Sequence, residues 1–129
     1  MLLLDTHAWV WWLTKPERLG RKAARAIDKA DRLGVCAMSP WEVGMKAESG
    51  KLRFNRPWDL WIDEALAADE RIELLQVLPR ISATAVKLAW SHGDPVDRLI
   101  VATALVHGAS LVTADEAIRA SKLVRCIWD

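Results

Sequence analysis

Short apolar runs alternate along this chain with segments of helical spacing, and that alternation limits the fold more than any other feature. The runs are Met1–Leu4, Gly34–Met38, Ile72–Leu78, Ser110–Thr113 and Leu123–Ile127. Continuous apolar runs of this length read as strands buried on both faces. Parallel strands need crossovers, and helices long enough to serve lie between the runs. The pattern therefore predicts an α/β fold, a three-layer sandwich with a central parallel sheet of about five strands flanked by helices.

The helices carry their own start and stop signals. Thr6 is expected to cap a helix over His7–Leu13 that stops at the Lys15-Pro16 step. Gly20–Arg32 places Ala23, Ala26, Ile27 and Ala30 on one side of a basic amphipathic helix. Ser39-Pro40-Trp41-Glu42 reads as a cap, a first-turn proline and a capping-box glutamate, with the helix ending near Gly50. Further helices are predicted from Pro57 to about Ala68, over Ser82–Trp90, from Asp94-Pro95 to His107 with Gly108 as its stop, and over Asp115–Ser121. At 129 residues, with no repeat and no long linker, the chain is expected to form one domain spanning residues 1–129.

No apolar run approaches the ~18 residues needed to cross a bilayer. MLLLD is too short and too quickly acidic for a signal peptide, so a cytoplasmic protein is expected. Cys36 and Cys126 lie in separate apolar stretches and read as reduced, packed thiols. The net charge of +1 conceals a division. Lys15–Arg56 holds eleven basic against five acidic residues, and the remainder seven against twelve. A solvated pair of helices would account for such a bias, and so would a surface that attracts a polyanion while acids gather elsewhere.

In a parallel sheet, ligands collect outside the carboxyl ends of the strands. Asp5 closes the first strand, Glu42 follows the second, Asp97 lies in the first turn after Asp94-Pro95, and Asp115 follows the fourth strand. Singly, Glu42 fits a capping box, Asp94 and Asp115 fit helix caps, and Asp97 favours a helix dipole. Those local roles do not explain an aspartate closing a buried strand. Crowded carboxylates repel one another unless a hard cation neutralises them. An oxygen-only donor set favours Mg²⁺ or Mn²⁺ over zinc, and such an ion activates water towards phosphate esters. A glycine-rich phosphate loop, a GxSxG elbow and an HExxH helix are all missing, so NTPase, serine hydrolase and zinc protease chemistry find no support.

LLLDTHAWVWWL, SPWEVGMKAESGKLRF, DPVDRLIVATAL and LVTAD, in this order, resemble the PIN-domain ribonucleases, and more narrowly the VapC toxins of type II toxin–antitoxin systems. The resemblance covers nearly the whole chain. It implies an Mg²⁺- or Mn²⁺-dependent endoribonuclease, usually a homodimer, restrained by a VapB-like antitoxin. It matches Asp5, Glu42, Asp97 and Asp115 to the family's acids, and Thr6 and Thr113 to hydroxyl positions that hold those acids or their waters. Asp94 stays a helix cap.

The remaining polar candidates have plainer readings beside functional ones. His7 reads as structural, while His92 and His107 flank turns and read as solvated. Arg98 is expected to pair with an acid, or else to meet phosphate. Lys46 lies one turn after Glu42, as an ion pair or a phosphate contact. With Lys51, Arg53 and Arg56 it is the expected RNA-binding set. Tryptophan is abundant, at eight residues. Trp9, Trp11 and Trp12 occupy more than one face of the first helix, so part of this set is expected to face an antitoxin. Trp41, Trp58 and Trp61 repeat the theme. Two other functions compete: a PIN-like module that binds RNA or protein without cleavage, and a small α/β phosphatase, for which a nucleophile motif is missing.

Overall fold

The computed structural model describes all 129 residues. Its order is β1 (Leu2–Leu4), α1 (Thr6–Thr14), a 3₁₀ turn (Pro16–Arg18), α2 (Arg21–Lys29), β2 (Leu33–Cys36), α3 (Met38–Glu48), α4 (Trp58–Leu66), β3 (Ile72–Leu75), α5 (Pro79–Lys87), α6 (Pro95–His107), β4 (Ser110–Val112), α7 (Glu116–Ser121) and β5 (Cys126–Ile127). All five strands are parallel, in the order β3-β2-β1-β4-β5. From β1 the chain winds outward through β2 and β3, then returns to the other side of β1 as β4. The crevice between β1 and β4 is therefore the switch point at which open parallel sheets bind their ligands.

Side chains alternate across the sheet with the period of two expected of a strand. Leu4, Leu33, Val35 and Val112 face one core with Trp9 of α1, Ile27 of α2 and Trp61 of α4. Leu3, Cys36 and Leu111 face the other with Ile100 of α6 and Ile118 of α7. Both cores are covered, which explains the uninterrupted apolar runs. No helix is long and apolar enough to cross a membrane.

Several boundaries differ from the sequence pattern. Asp5, not Thr6, caps α1, accepting a hydrogen bond from the Thr6 backbone N–H at 2.8 Å. Ser39 is not a cap: α3 starts one residue before it, and the buried Ser39 hydroxyl accepts from Thr6 Oγ1 at 2.9 Å. Glu42 consequently closes no capping box. The second strand stops at Cys36 and the third at Leu75, because Met38 and Pro79 already begin helices. The fifth helix ends at Lys87 rather than Trp90.

Trp9 corrects another expectation. It is fully buried, with its ring 5.3 Å from that of Trp61, so it presents no surface to a partner. Trp11 and Trp12 are half-buried.

Candidate active site at the sheet switch point

Asp5 ends β1 at the centre of the sheet and is only 3% exposed. Its Oδ1 takes the Thr6 amide, and its Oδ2 accepts from Thr113 Oγ1 at 2.7 Å. The Thr113 hydroxyl, just beyond β4, itself accepts from the Asp115 amide at 3.0 Å. One threonine thus ties the acid of β1 to the segment bearing the next acid. Thr6 extends the brace by donating to Ser39 in the first turn of α3, the helix that carries Glu42.

His7 is a second brace. Its Nε2 accepts from the Ala114 amide at 2.9 Å, which leaves the ring proton on Nδ1, 3.6 Å from Asp5 Oδ2. Each carboxylate oxygen has two lone pairs, so these hydrogen bonds leave Asp5 able to donate to a cation.

Asp97 lies in the first turn of α6, after the Asp94 cap, whose carboxylate accepts from the Val96 amide at 3.0 Å. Burial, joined by the negative charges of Asp5, Asp94 and Asp115, pushes its carboxyl up to about 6, against the opposing hydrogen bond from His92. Carboxylates from β1, α6 and the β4–α7 junction therefore share one field. Glu42 belongs to the same edge, since both it and Asp5 act on the Cys36 thiol, which burial chiefly raises. Beside the acids opens a cavity of about 320 Å³ bordered by Glu42, Lys46, Asp94 and the exposed Trp41. Asp115 caps α7 through the Ile118 amide at 2.9 Å, so it combines a structural role with its place at the site.

Three polar residues depart from expectation. His92 is not simply solvated: its Nε2 lies 2.8 Å from Asp97 Oδ2, and one ligand atom each from His92, Asp94 and Asp97 fall within 4.8 Å of one another. The spacing HGDPVD held that signal, but the bend returning His92 to Asp97 is irregular backbone. Arg98 neither pairs with an acid nor is free for phosphate. Its guanidinium donates to the carbonyls of Ala85, Val86, Leu88, Trp90 and His92 at 2.7–3.3 Å. Arg56 is engaged by Glu64 and Asn55, which removes it as a free phosphate contact. Lys46 lies 3.8 Å from Glu42, while Lys51 and Arg53 are exposed.

The donor set suits a hard divalent cation. It is mostly carboxylate oxygen, Asp5 is braced by Thr113, and burial followed by neighbouring negative charge raises the Asp97 carboxyl.

Residues 2–122 match the PIN domain. The chain is also 39% identical over 130 aligned positions to ribonuclease VapC22 of Mycobacterium tuberculosis (strain ATCC 25618 / H37Rv), covering 98% of each protein. Its fold is similar to that of VapBC2 from Rickettsia felis, solved bound to a promoter DNA fragment, with a TM-score of 0.70 at 16% identity over 99% of this chain and 98% of that one. It is likewise similar to VapBC-1 from nontypeable Haemophilus influenzae, with a TM-score of 0.67 at 19% identity over 97% and 95%. The chain belongs to the PIN-domain family, in its VapC branch.

Proposed function

We propose that this protein is a divalent-metal-dependent endoribonuclease, the toxin of a type II toxin–antitoxin pair, with Asp5, Glu42, Asp97 and Asp115 as metal-site acids. The observation that carries the reading is the Asp5–Thr113–Asp115 brace at the switch point, with Asp97 held in the same negative field. A bound Mg²⁺ or Mn²⁺ supplies Lewis acidity towards a phosphoryl oxygen and makes its water acidic enough to yield hydroxide near neutrality.

The chain's own contribution is preorganisation. Asp5 is fixed by the Thr6 amide, the Thr113 hydroxyl and the His7 ring, so loading the site requires little rearrangement. Asp97 turns one oxygen towards His92, and its other oxygen would be available to help hold the cation. Lys46, one turn from Glu42, and the exposed Lys51 and Arg53 would supply contacts for an approaching polyanion.

The partner belongs to the same reading. A VapB-like antitoxin would cover Trp11 and Trp12 on α1 and direct a basic side chain at the acids, where an arginine pairs with carboxylate in bidentate fashion. A homodimer is favoured by exposed apolar side chains, Leu78 and Val86 on or beside α5 at 52% and 80% and Leu105 on the α6 helix that packs against α5.

Single-stranded RNA incubated with the chain in Mg²⁺ or Mn²⁺ tests the activity. Cleavage is expected to stop with chelator and with Asp97→Asn. A folded Asp97→Asn protein that cuts like the parent would remove the metal-site assignment. RNA binding without cleavage in either ion would favour the non-catalytic module.

A further inference from the structure

We infer that a basic cavity at the C-terminal end of α1 is a phosphate-binding subsite for single-stranded RNA, apart from the acids that surround the scissile bond. The inference rests on the ribonuclease reading above. The cavity is built by the end of α3. Gly50 takes φ +78°, a left-handed conformation open to glycine, and the Lys46 carbonyl accepts from the amides of both Lys51 and Leu52 at 2.8 and 3.2 Å. The chain reverses there and lays Lys51–Phe54 against α1. The half-open space is about 300 Å³, and its lining includes Trp11, Lys15, Arg18, Lys51, Arg53 and Phe54.

Four cations line this space with no carboxylate among them, and none of the four makes an ion pair. Four arginines elsewhere are neutralised, Arg32 by Glu73, Arg56 by Glu64, Arg71 by Asp69 and Arg119 by Asp129, while Arg21, Arg25, Arg80 and Arg125 are exposed without an acid partner but do not line this space. The helix end offers roughly half a negative charge, too little to balance four positive ones. An anion would complete the site.

Its form follows from the cavity's neighbours. The Arg18 guanidinium lies 4.2 Å from the centre of the Trp11 ring, Trp11 is 5.0 Å from His7, and His7 Nδ1 is 3.6 Å from Asp5 Oδ2. One wall thus runs from the cations past an aromatic ring to the central acid. Single-stranded nucleic acid uses such a surface, with phosphates on cations and bases on aromatic faces. An acidic peptide would satisfy the charges alone, with no flat bases to set against the Trp11 ring.

The test uses the full-length chain and a fluorescein-labelled, mixed-sequence single-stranded RNA of about twenty nucleotides, a probe long enough to release several counterions. Anisotropy is followed in EDTA across a range of salt. For Arg18→Gln with Arg53→Gln, two phosphate contacts fewer should weaken binding about tenfold and flatten the log–log salt slope by about 1.4. Arg18→Lys with Arg53→Lys should keep the parent's slope. Under Mn²⁺ the Gln pair should raise KM and spare kcat, because the acids are untouched. These residues are exposed, and circular dichroism melting confirms that each variant is folded.

Parental affinity and slope in the folded Gln pair would overturn the subsite. So would a glutamate-rich decapeptide that displaces RNA from the parent more effectively than unlabelled RNA and loses its hold on the Gln pair. The two readings fail separately. A parent that binds RNA through these arginines but never cleaves it leaves the subsite standing and removes the nuclease.

Discussion

Asp97 is surrounded by burial and by like charge, with His92 alone opposing them, and its carboxyl is pushed up to about 6 from an ordinary 3.8. A raised folded-state pKa means that the folded chain binds this proton more tightly than the unfolded chain does. Its stabilising contribution is fully present below about 4, the unfolded value, and is lost as pH rises through about 6. In EDTA, Asp97→Asn should therefore melt higher than the parent at pH 7–8, and the gap should close as pH falls from about 6 to about 4. Thermal melts across that range check it, and a gap that widens towards acid would contradict the sign. Tryptophan gives a second test at this scale. Trp9→Ala empties a fully buried ring site and should cost about 3–5 kcal/mol, whereas Trp11→Ala, on the half-buried side of α1, should cost under about 1.5 kcal/mol; urea denaturation separates them. The sequence made Asp5 legible, because a buried strand has no cheap use for an ionised end. It could not assign the tryptophans. Three of them within four positions surround a helix, and tertiary packing, Trp61 included, determines which one is core.

At the scale of elements, the irregular Leu88–Asp94 segment matters as much as any helix. No ladder holds it. Arg98 does, by filling five carbonyls with its guanidinium, and the fold of the segment then brings His92 to Asp97. Trp90 supports the imidazole, the two ring centres being 4.7 Å apart. Lysine has three donors on a single atom and cannot span those carbonyls. Arg98→Lys should cost about 2–4 kcal/mol, since charged hydrogen bonds are lost to groups that remain in place. His92→Ala should keep the fold but lower Mn²⁺ affinity about tenfold, as removal of a ligand's orienting partner does. Calorimetric Mn²⁺ titration reads this directly, and unchanged affinity in folded His92→Ala would reduce the histidine to a loop contact. Element order and the caps at Asp94 and Gly108 could be read from sequence because they are local. The local pattern points to caps at Thr6 and Ser39, but their hydroxyls are engaged with each other, 33 positions apart, a contact no local pattern encodes. Arg98 escapes the pattern for the same reason: its partners are main-chain carbonyls, which carry no residue identity.

The whole molecule separates its charge, with acids at the β1–β4 crevice and unpaired cations along α1 and the α3–α4 connection. Alternating strands and helices declared a parallel sheet in advance, but the order β3-β2-β1-β4-β5 depends on which side of β1 the chain returns to after α6, a choice made by both cores together. That choice makes β1 central and brings Thr113 to Asp5. The resulting crevice gathers carboxylates around a buried Asp97, and on the proposed reading a cation would offset the cost of ionising it there. Ion binding should therefore appear as stability. A cation held by the native state alone stabilises it by about 2.7 kcal/mol at a hundred times its Kd. Mn²⁺ or Mg²⁺ should accordingly raise the parent's Tm by several degrees at pH 7.5, and more at pH 7.5 than at pH 5, where the proton on Asp97 competes with the cation. Asp97→Asn should gain much less, because it starts without the full repulsion and lacks one charged donor. Scanning calorimetry of both proteins over a series of cation concentrations gives the comparison. Equal gains in parent and variant would place the bound ion away from the crevice, and no gain in the parent at millimolar Mn²⁺ would leave the acids without the cation that their arrangement calls for.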